Sequence, residues 1–219
     1  MTAYVTAACC AVLAIGAAVL LRRWLLTHGY RYEDEAGTPA RRHRWVLAAL
    51  PIGAFVVTLE LGFRWPEILA VAYAVALVPL TALAAIDMDV HRLPDILTYP
   101  LVPLALVVAL VATLSTGDWS ALLRAALGGL ALCAAYFILL LISRGAAGLG
   151  LGDVKLAAGT GILLGWFSWY AVFGGTVAAF LLSGVWAAGL LITRRATRHS
   201  YIAFGPFMVA GTVLVLLAS

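Results

Sequence analysis

Residues 67–89 read EILAVAYAVALVPLTALAAIDMD, a long apolar run that opens on Glu67 and ends abruptly on Asp87 and Asp89. A bilayer core about 30 Å thick takes roughly 20 apolar residues as a helix, because every backbone group must be satisfied inside the segment. The run from Glu67 to Ile86 meets that length, and the rest of the chain repeats the pattern. Of the 219 residues, 64% are hydrophobic and 11% charged, with a mean hydropathy of +1.06. These values exclude a water-soluble domain. The expected architecture is all-α: one polytopic transmembrane helix bundle over residues 1–219, with spans near 3–21, 45–63, 67–86, 96–114, 121–143, 154–167, 169–192 and 203–218. The sixth is short for a crossing and is expected to be tilted, re-entrant or shielded by its neighbours. The runs are continuous rather than alternating, which argues against a β-barrel.

Charges distribute unevenly between the loops. All of the 14 basic residues except Arg64 and Arg124 fall in or beside the first, third, fifth and seventh loops: Arg22, Arg23, Arg31, Arg41, Arg42, Arg44, Arg92, Arg144, Lys155, Arg194, Arg195 and Arg198. Lys and Arg accumulate on the cytoplasmic side of short loops. The amino terminus is therefore expected outside the cell (plasma) membrane, with Asp87 and Asp153 at the cytoplasmic face. The first apolar stretch has no basic residue before it and Arg22-Arg23 after it, the reverse of a cleavable signal, so it is expected to remain as a helix. Residues 22–44 form the one sizeable polar segment, a cytoplasmic loop whose basic ends suit anionic headgroups. Membrane lipid is an expected partner; nucleic acid is not.

Cys9 and Cys10 are adjacent and Cys133 lies alone, so no Cys-x-x-Cys pattern exists and apolar packing is the expected role. No metal or other cofactor is expected. His28, His43, His91 and His199 lack metal-ligand spacing and are expected in solvent or against headgroups. Among the acids, Asp118 sits in a turn with Gly117, Asp95 follows Pro94 where a cap is wanted, Glu67 follows Pro66 at a helix start, and Glu60 is spaced to pair with Arg64.

Asp87 and Asp153 differ from these. Each lies where an apolar helix meets a basic loop, close enough to a bundle interior to face a shared cleft. Acids there are costly to bury, and two carboxyls brought together share one proton and titrate as a unit. That state suits peptide hydrolysis: one carboxylate deprotonates water while its protonated partner donates to the developing oxyanion. Gly150 and Gly152, just before Asp153, are expected to supply positive φ and close backbone approach. Asp153 opens a helix and Asp87 ends one, so Asp87 is expected to hold the shared proton more often.

Three ordered blocks resemble the type IV prepilin peptidase family of membrane aspartic proteases: Ala85-Ile86-Asp87-Met88-Asp89-Val90-His91-Arg92-Leu93-Pro94-Asp95, Gly150-Leu151-Gly152-Asp153-Val154-Lys155-Leu156, and Phe204-Gly205-Pro206-Phe207. The resemblance covers about Ala82 to Phe207. It implies that Asp87 and Asp153 are the catalytic pair, that Gly150, Gly152, Lys155, Asp89 and Asp95 are substrate-binding or supporting, and that the substrate is a prepilin-like membrane protein cut at the cytoplasmic face just before its apolar segment. Many bacterial members also carry paired Cys-x-x-Cys motifs and methylate the new amino terminus. These cysteines are missing from this sequence, so cleavage is expected and methylation is doubtful. Three other readings fit less well. A signal-peptide-peptidase or presenilin-like protease would carry Tyr-Asp and Pro-Ala-Leu motifs. A small transporter with an aspartate proton relay would show inverted repeats. A metal-dependent transferase on Asp87-x-Asp89-x-His91 would want further ligands.

Overall fold

Prolines mark three helix starts. A proline fixes φ near −65° and lacks an N–H, so it fits before or in a first helical turn, where that donor would go unused. Pro66 (φ −54°, ψ 139°) and Pro94 (φ −69°, ψ 139°) precede helices, and Pro206 lies in the first turn of another. The computed structural model describes residues 1–35, 39, 41–143, 149–194 and 202–219. The chain-order helices are α1 (Thr2–Leu25), α2 (Val46–Arg64), α3 (Glu67–Val90), α4 (Asp95–Thr116), α5 (Trp119–Ser143), α6 (Leu151–Phe167), α7 (Trp169–Ile192) and α8 (Gly205–Ala218), with a 3-10 turn at Glu33–Glu35. All regular structure among the described residues is helical, as the apolar runs require. Arg144, Arg195, Arg198 and His199, which entered the charge and histidine readings, lie outside the described residues.

Six helices, α1 to α5 and α7, are long and apolar enough to cross a membrane, so the chain is a multi-pass membrane protein. Two helices are shorter: α6 has 17 residues and α8 has 14. The shielding expected for α6 is present. It packs against α4, α5, α7 and α8, and most of its side chains are buried. At the centre, α3 meets α1, α2, α4 and α8, and 67% of its apolar window is buried against 11% for α1 and for α7. The two helices that carry the aspartates are thus the two inner ones.

Small residues allow this. In lipid, helices associate through close packing rather than through a hydrophobic force, and glycines let backbones touch. Gly128 and Gly129 of α5 meet Gly161 and Gly165 of α6 so closely that a Cβ at Gly161 would stand 2.6 Å from the Gly128 carbonyl oxygen. Gly175 and Gly211 do the same for α7 and α8. Buried polar ties add register: Tyr73 of α3 donates to the Leu163 carbonyl (2.7 Å) and Trp166 Nε1 to Thr113 Oγ1 (3.0 Å).

Arg124, near the start of α5, has a specific task. Its guanidinium donates to the carbonyls of Gly165, Trp166 and Phe167. The last carbonyls of a helix lack intrahelical donors, and a cation there also opposes the helix dipole. Arg124 therefore closes the short α6 from its neighbour α5. Ser168 then caps α7 by accepting from the Ala171 N–H (3.0 Å). The expected Glu60–Arg64 pair forms at 3.5 Å, and Glu67 accepts a hydrogen bond from Thr6 at 2.6 Å. The cysteines are free, Cys9 exposed and Cys10 and Cys133 half-buried.

Candidate active site

Asp87 lies in the last turn of α3 and Asp153 in the first turn of α6. Both are buried, 5% and 7% exposed, and both line one cavity of about 290 Å³. The fold thus brings together the two carboxylates that sequence alone placed on separate helices. His91, Arg92, Leu93, Gly150, Gly152 and Phe204 complete much of the wall.

Each carboxylate is held by a backbone donor at a helix start. Asp153 Oδ2 accepts the Gly150 N–H (2.8 Å), reaching back across its own first turn. Asp87 Oδ2 accepts the Gly205 N–H (2.8 Å) at the start of α8. Orphan N–H groups and the dipole at a helix amino end both favour a carboxylate. The expected asymmetry, with Asp153 alone at a helix start, is therefore offset: α8 serves Asp87 as α6 serves Asp153. That role of Phe204-Gly205-Pro206-Phe207 could not be read locally, because Gly205 and Asp87 are distant in sequence.

The glycines act differently from expectation. Gly150 is extended (φ −117°, ψ 170°), and neither it nor Gly152 has a positive φ; Gly117 is the glycine that does among the described residues. What Gly152 provides is space. A Cβ there would lie 2.6 Å from Leu93 Cβ, so its bare backbone lets the 91–94 turn press against the start of α6. His91 instead takes the left-handed conformation (φ 51°), accepting an unfavourable backbone to end α3 immediately after the turn that carries Asp87.

Asp95 and Lys155 correct a second expectation. Asp95 is the first residue of α4 and makes no cap bond; its carboxylate accepts from Lys155 Nζ (2.5 Å), which also lies 4.2 Å from the centre of the Tyr99 ring. This pair ties α4 to α6, and neither residue lines the cavity. Asp89 also points away from Asp87. Its buried carboxylate accepts from the Tyr30 hydroxyl (2.6 Å), from Arg31 Nε (3.0 Å) and Nη2 (2.8 Å), and from the Arg41 N–H (2.9 Å).

His43 is a third correction: it is 2% exposed rather than solvated. Tyr30 spends its proton on Asp89, so its oxygen accepts from His43 Nε2 (3.1 Å), which fixes the tautomer with hydrogen on Nε2. Burial, then the bond to Asp89, pushes the Tyr30 hydroxyl up and keeps it protonated. His43 Nδ1 is buried without a hydrogen-bond partner among the described residues, and burial holds the imidazole below its usual range. A proton at Nδ1 would have no acceptor. The folded state then binds fewer protons than the unfolded state, so stability falls as pH drops below the unperturbed value of about 6.5. In His43→Gln, whose amide can replace the Nε2 donor, the thermal midpoint is expected to lose part of this acid dependence. A midpoint that falls as steeply as in the wild type would exclude His43 as its source.

A second, more apolar cavity of about 460 Å³ adjoins the first and shares His91, Ile202 and Ala203 with it. Met88, Trp186, Leu190, Pro206 and Phe207 line it at the ends of α3, α7 and α8. Arg92 and this groove were not identified from sequence. Arg92 looked like one more loop cation, and the groove is made by residues from four separate segments, Arg41 among them.

Fold and site together define a multi-pass helical membrane protein with a buried pair of aspartates in one cavity. The chain belongs to the type IV leader peptidase family, whose model matches residues 74–192 and so includes both aspartates. Its relatives include proteins named prepilin leader peptidase/N-methyltransferase: one from Stutzerimonas stutzeri, 30% identical over 197 residues (88% of this chain, 64% of the relative), and one from Aeromonas salmonicida strain A449, 33% identical over 198 residues (90% and 65%). A protein of the same name from Burkholderia pseudomallei strain K96243 is 37% identical over 139 residues (63% and 43%). The chain thus spans less than two thirds of the length of these relatives. No solved structure gives a significant match.

Proposed function

We propose that this protein is a prepilin leader peptidase that hydrolyses the leader of pilin-like membrane precursors with Asp87 and Asp153 as a general acid/base pair. The observation that carries this is the meeting of the two buried carboxylates in one cavity; family membership and the names of the relatives agree with it. One carboxylate takes a proton from water as the water oxygen bonds to the scissile carbonyl carbon. The protonated partner gives its proton to the carbonyl oxygen, forming a tetrahedral diol. Collapse of the diol breaks the C–N bond, with a proton passing to the leaving amine. One water is consumed and the pair regains its single shared proton.

The basic-loop pattern supports an arrangement with the amino terminus outside, the cavity at the cytoplasmic face of the plasma membrane, and basic side chains among the headgroups. The substrate's polar leader would then enter beside Asp87 and Asp153, and its apolar segment would lie along Met88, Trp186, Leu190, Pro206 and Phe207. Lys155 and Asp95 support the site by tying α4 to α6, and Gly150 and Gly152 support it by shaping the start of α6. The proposal is limited to hydrolysis. A methylated product made by the purified protein with S-adenosylmethionine would contradict that limit.

The direct test is incubation of the detergent-solubilised protein with several prepilins, with and without chelator, reading the product by mass. Cleavage at one bond before the apolar segment, unchanged by chelator, is the expected outcome. No cleavage of any prepilin, or loss of cleavage under chelation, would reject the reading. A positional check is Gly205→Ala, whose added Cβ would stand 2.9 Å from Asp87 Oδ2. Displacing a catalytic group by an ångström costs about 10²-fold, and a loss of that order is expected here. Full activity would mean that Asp87 need not keep this position.

A further inference from the structure

We propose that Asp89, building on the peptidase reading above, is a positioning residue: it fastens Tyr30, Arg31 and Arg41 of the loop before α2 to the end of α3 and so sets Arg92 in the wall of the catalytic cavity.

The argument begins with helix geometry. Residues two apart on an α-helix point in roughly opposite directions, about 200° around the axis. Asp87 therefore faces the cavity, while Asp89 on the same turn faces away from it and into the loop. Its side chain is 0% exposed and that of its partner Arg31 is 6% exposed. A buried charge at this depth is tolerated when it is paired and fully hydrogen-bonded. Asp89 meets that condition with four donors, all from the loop: the Tyr30 hydroxyl, two nitrogens of Arg31 and the Arg41 N–H.

From these residues the contacts lead directly to the cavity. Arg92 Nη2 donates to the Tyr30 carbonyl (2.9 Å). The same guanidinium grips Glu35 through Nε (3.2 Å) and Nη2 (2.8 Å), and Arg31 Nη1 donates to the Glu35 carbonyl (3.2 Å). The Tyr32 ring covers the Arg92 guanidinium at 3.6 Å. Among the described residues, every group that orients Arg92 thus belongs to the stretch that Asp89 holds down, whereas Asp89 itself does not line the cavity. Arg92 is the strong cation of that wall among the described residues, and its Nη1, which makes none of these bonds, suits a carbonyl oxygen of an extended substrate. Asp89 therefore acts on substrate binding through Arg92.

The test compares wild type, Asp89→Asn, Arg92→Gln and the double variant in prepilin cleavage, together with trypsin cleavage after Arg31 in the intact protein. Each single variant is expected to raise KM about tenfold with kcat within about threefold, the signature of lost binding rather than lost chemistry. The double variant should be no worse than either single one, since residues acting in series are non-additive. Trypsin should cut after Arg31 about tenfold faster in Asp89→Asn, because a charged partner is lost. A double variant with the multiplied effect, or Arg31 equally protected in Asp89→Asn, would overturn the proposal. If wild type cleaves no prepilin, the peptidase reading fails and the kinetic role of Asp89 with it; the trypsin comparison still decides the fastening.

Discussion

Asp87→Asn and Asp153→Asn are each expected to reduce prepilin cleavage by about 10³-fold, within the range for losing a general acid or base, while the bundle stays folded. Asparagine keeps the volume of aspartate and an oxygen that can accept the Gly150 or Gly205 N–H, so the helix starts of α6 and α8 keep their contacts. What it loses is the ability to take a proton from water or return one to the oxyanion. If the pair works as the proposed unit, the double variant is expected to be no slower than the single ones. The check is single-turnover cleavage of one prepilin alongside the thermal midpoint in detergent. A variant that keeps a tenth of wild-type activity would remove that residue from the chemistry, and a lost midpoint would assign the defect to folding.

Gly161→Ala is expected to cause the largest loss of stability for the smallest change. Its Cβ would meet the Gly128 carbonyl oxygen at 2.6 Å, Gly129 Cα at 2.9 Å and the Gly128 carbonyl carbon at 3.0 Å. All three are backbone atoms, so no rotamer change relieves the clash and α5 must separate from α6. Overpacking of this kind costs about 1–3 kcal/mol. Activity should fall too, since α6 carries Asp153. Gly184→Ala is the control: its Cβ would meet nothing within 4 Å, and alanine in a helix interior is favoured over glycine by roughly 0.5–1 kcal/mol. Equal thermal midpoints for the two variants would refute the close α5–α6 crossing.

Much of the fold could be read from the apolar runs because the lipid constraint is local. A segment that must satisfy its own backbone in hydrocarbon becomes a helix whatever lies beside it. Hence the expected spans near 67–86 and 169–192 correspond to α3 and α7, and the weak sixth segment corresponds to the short, shielded α6. The two aspartates were also conspicuous, since an acid at the edge of an apolar run has a cost to explain. His43 and Asp95 were misjudged, and the role of Arg124 went unread, for one shared reason. The partners of Asp95 and Arg124 lie on helices distant in the chain, and the partner of His43, Tyr30, lies across an irregular loop.

The sequence by itself determined the solvent, the class of fold and the candidate acids: continuous apolar runs require membrane helices, and Asp87 and Asp153 stand where such runs end. Only the tertiary structure decided which groups serve those carboxylates. Gly205 presenting its N–H to Asp87, Leu93 pressed against Gly152, and Asp89 holding the loop behind Arg92 are contacts between residues that no periodicity relates. The physical reason is range. Solvent acts on each segment separately, whereas hydrogen bonds and close packing act over a few ångströms and exist only after the helices have met.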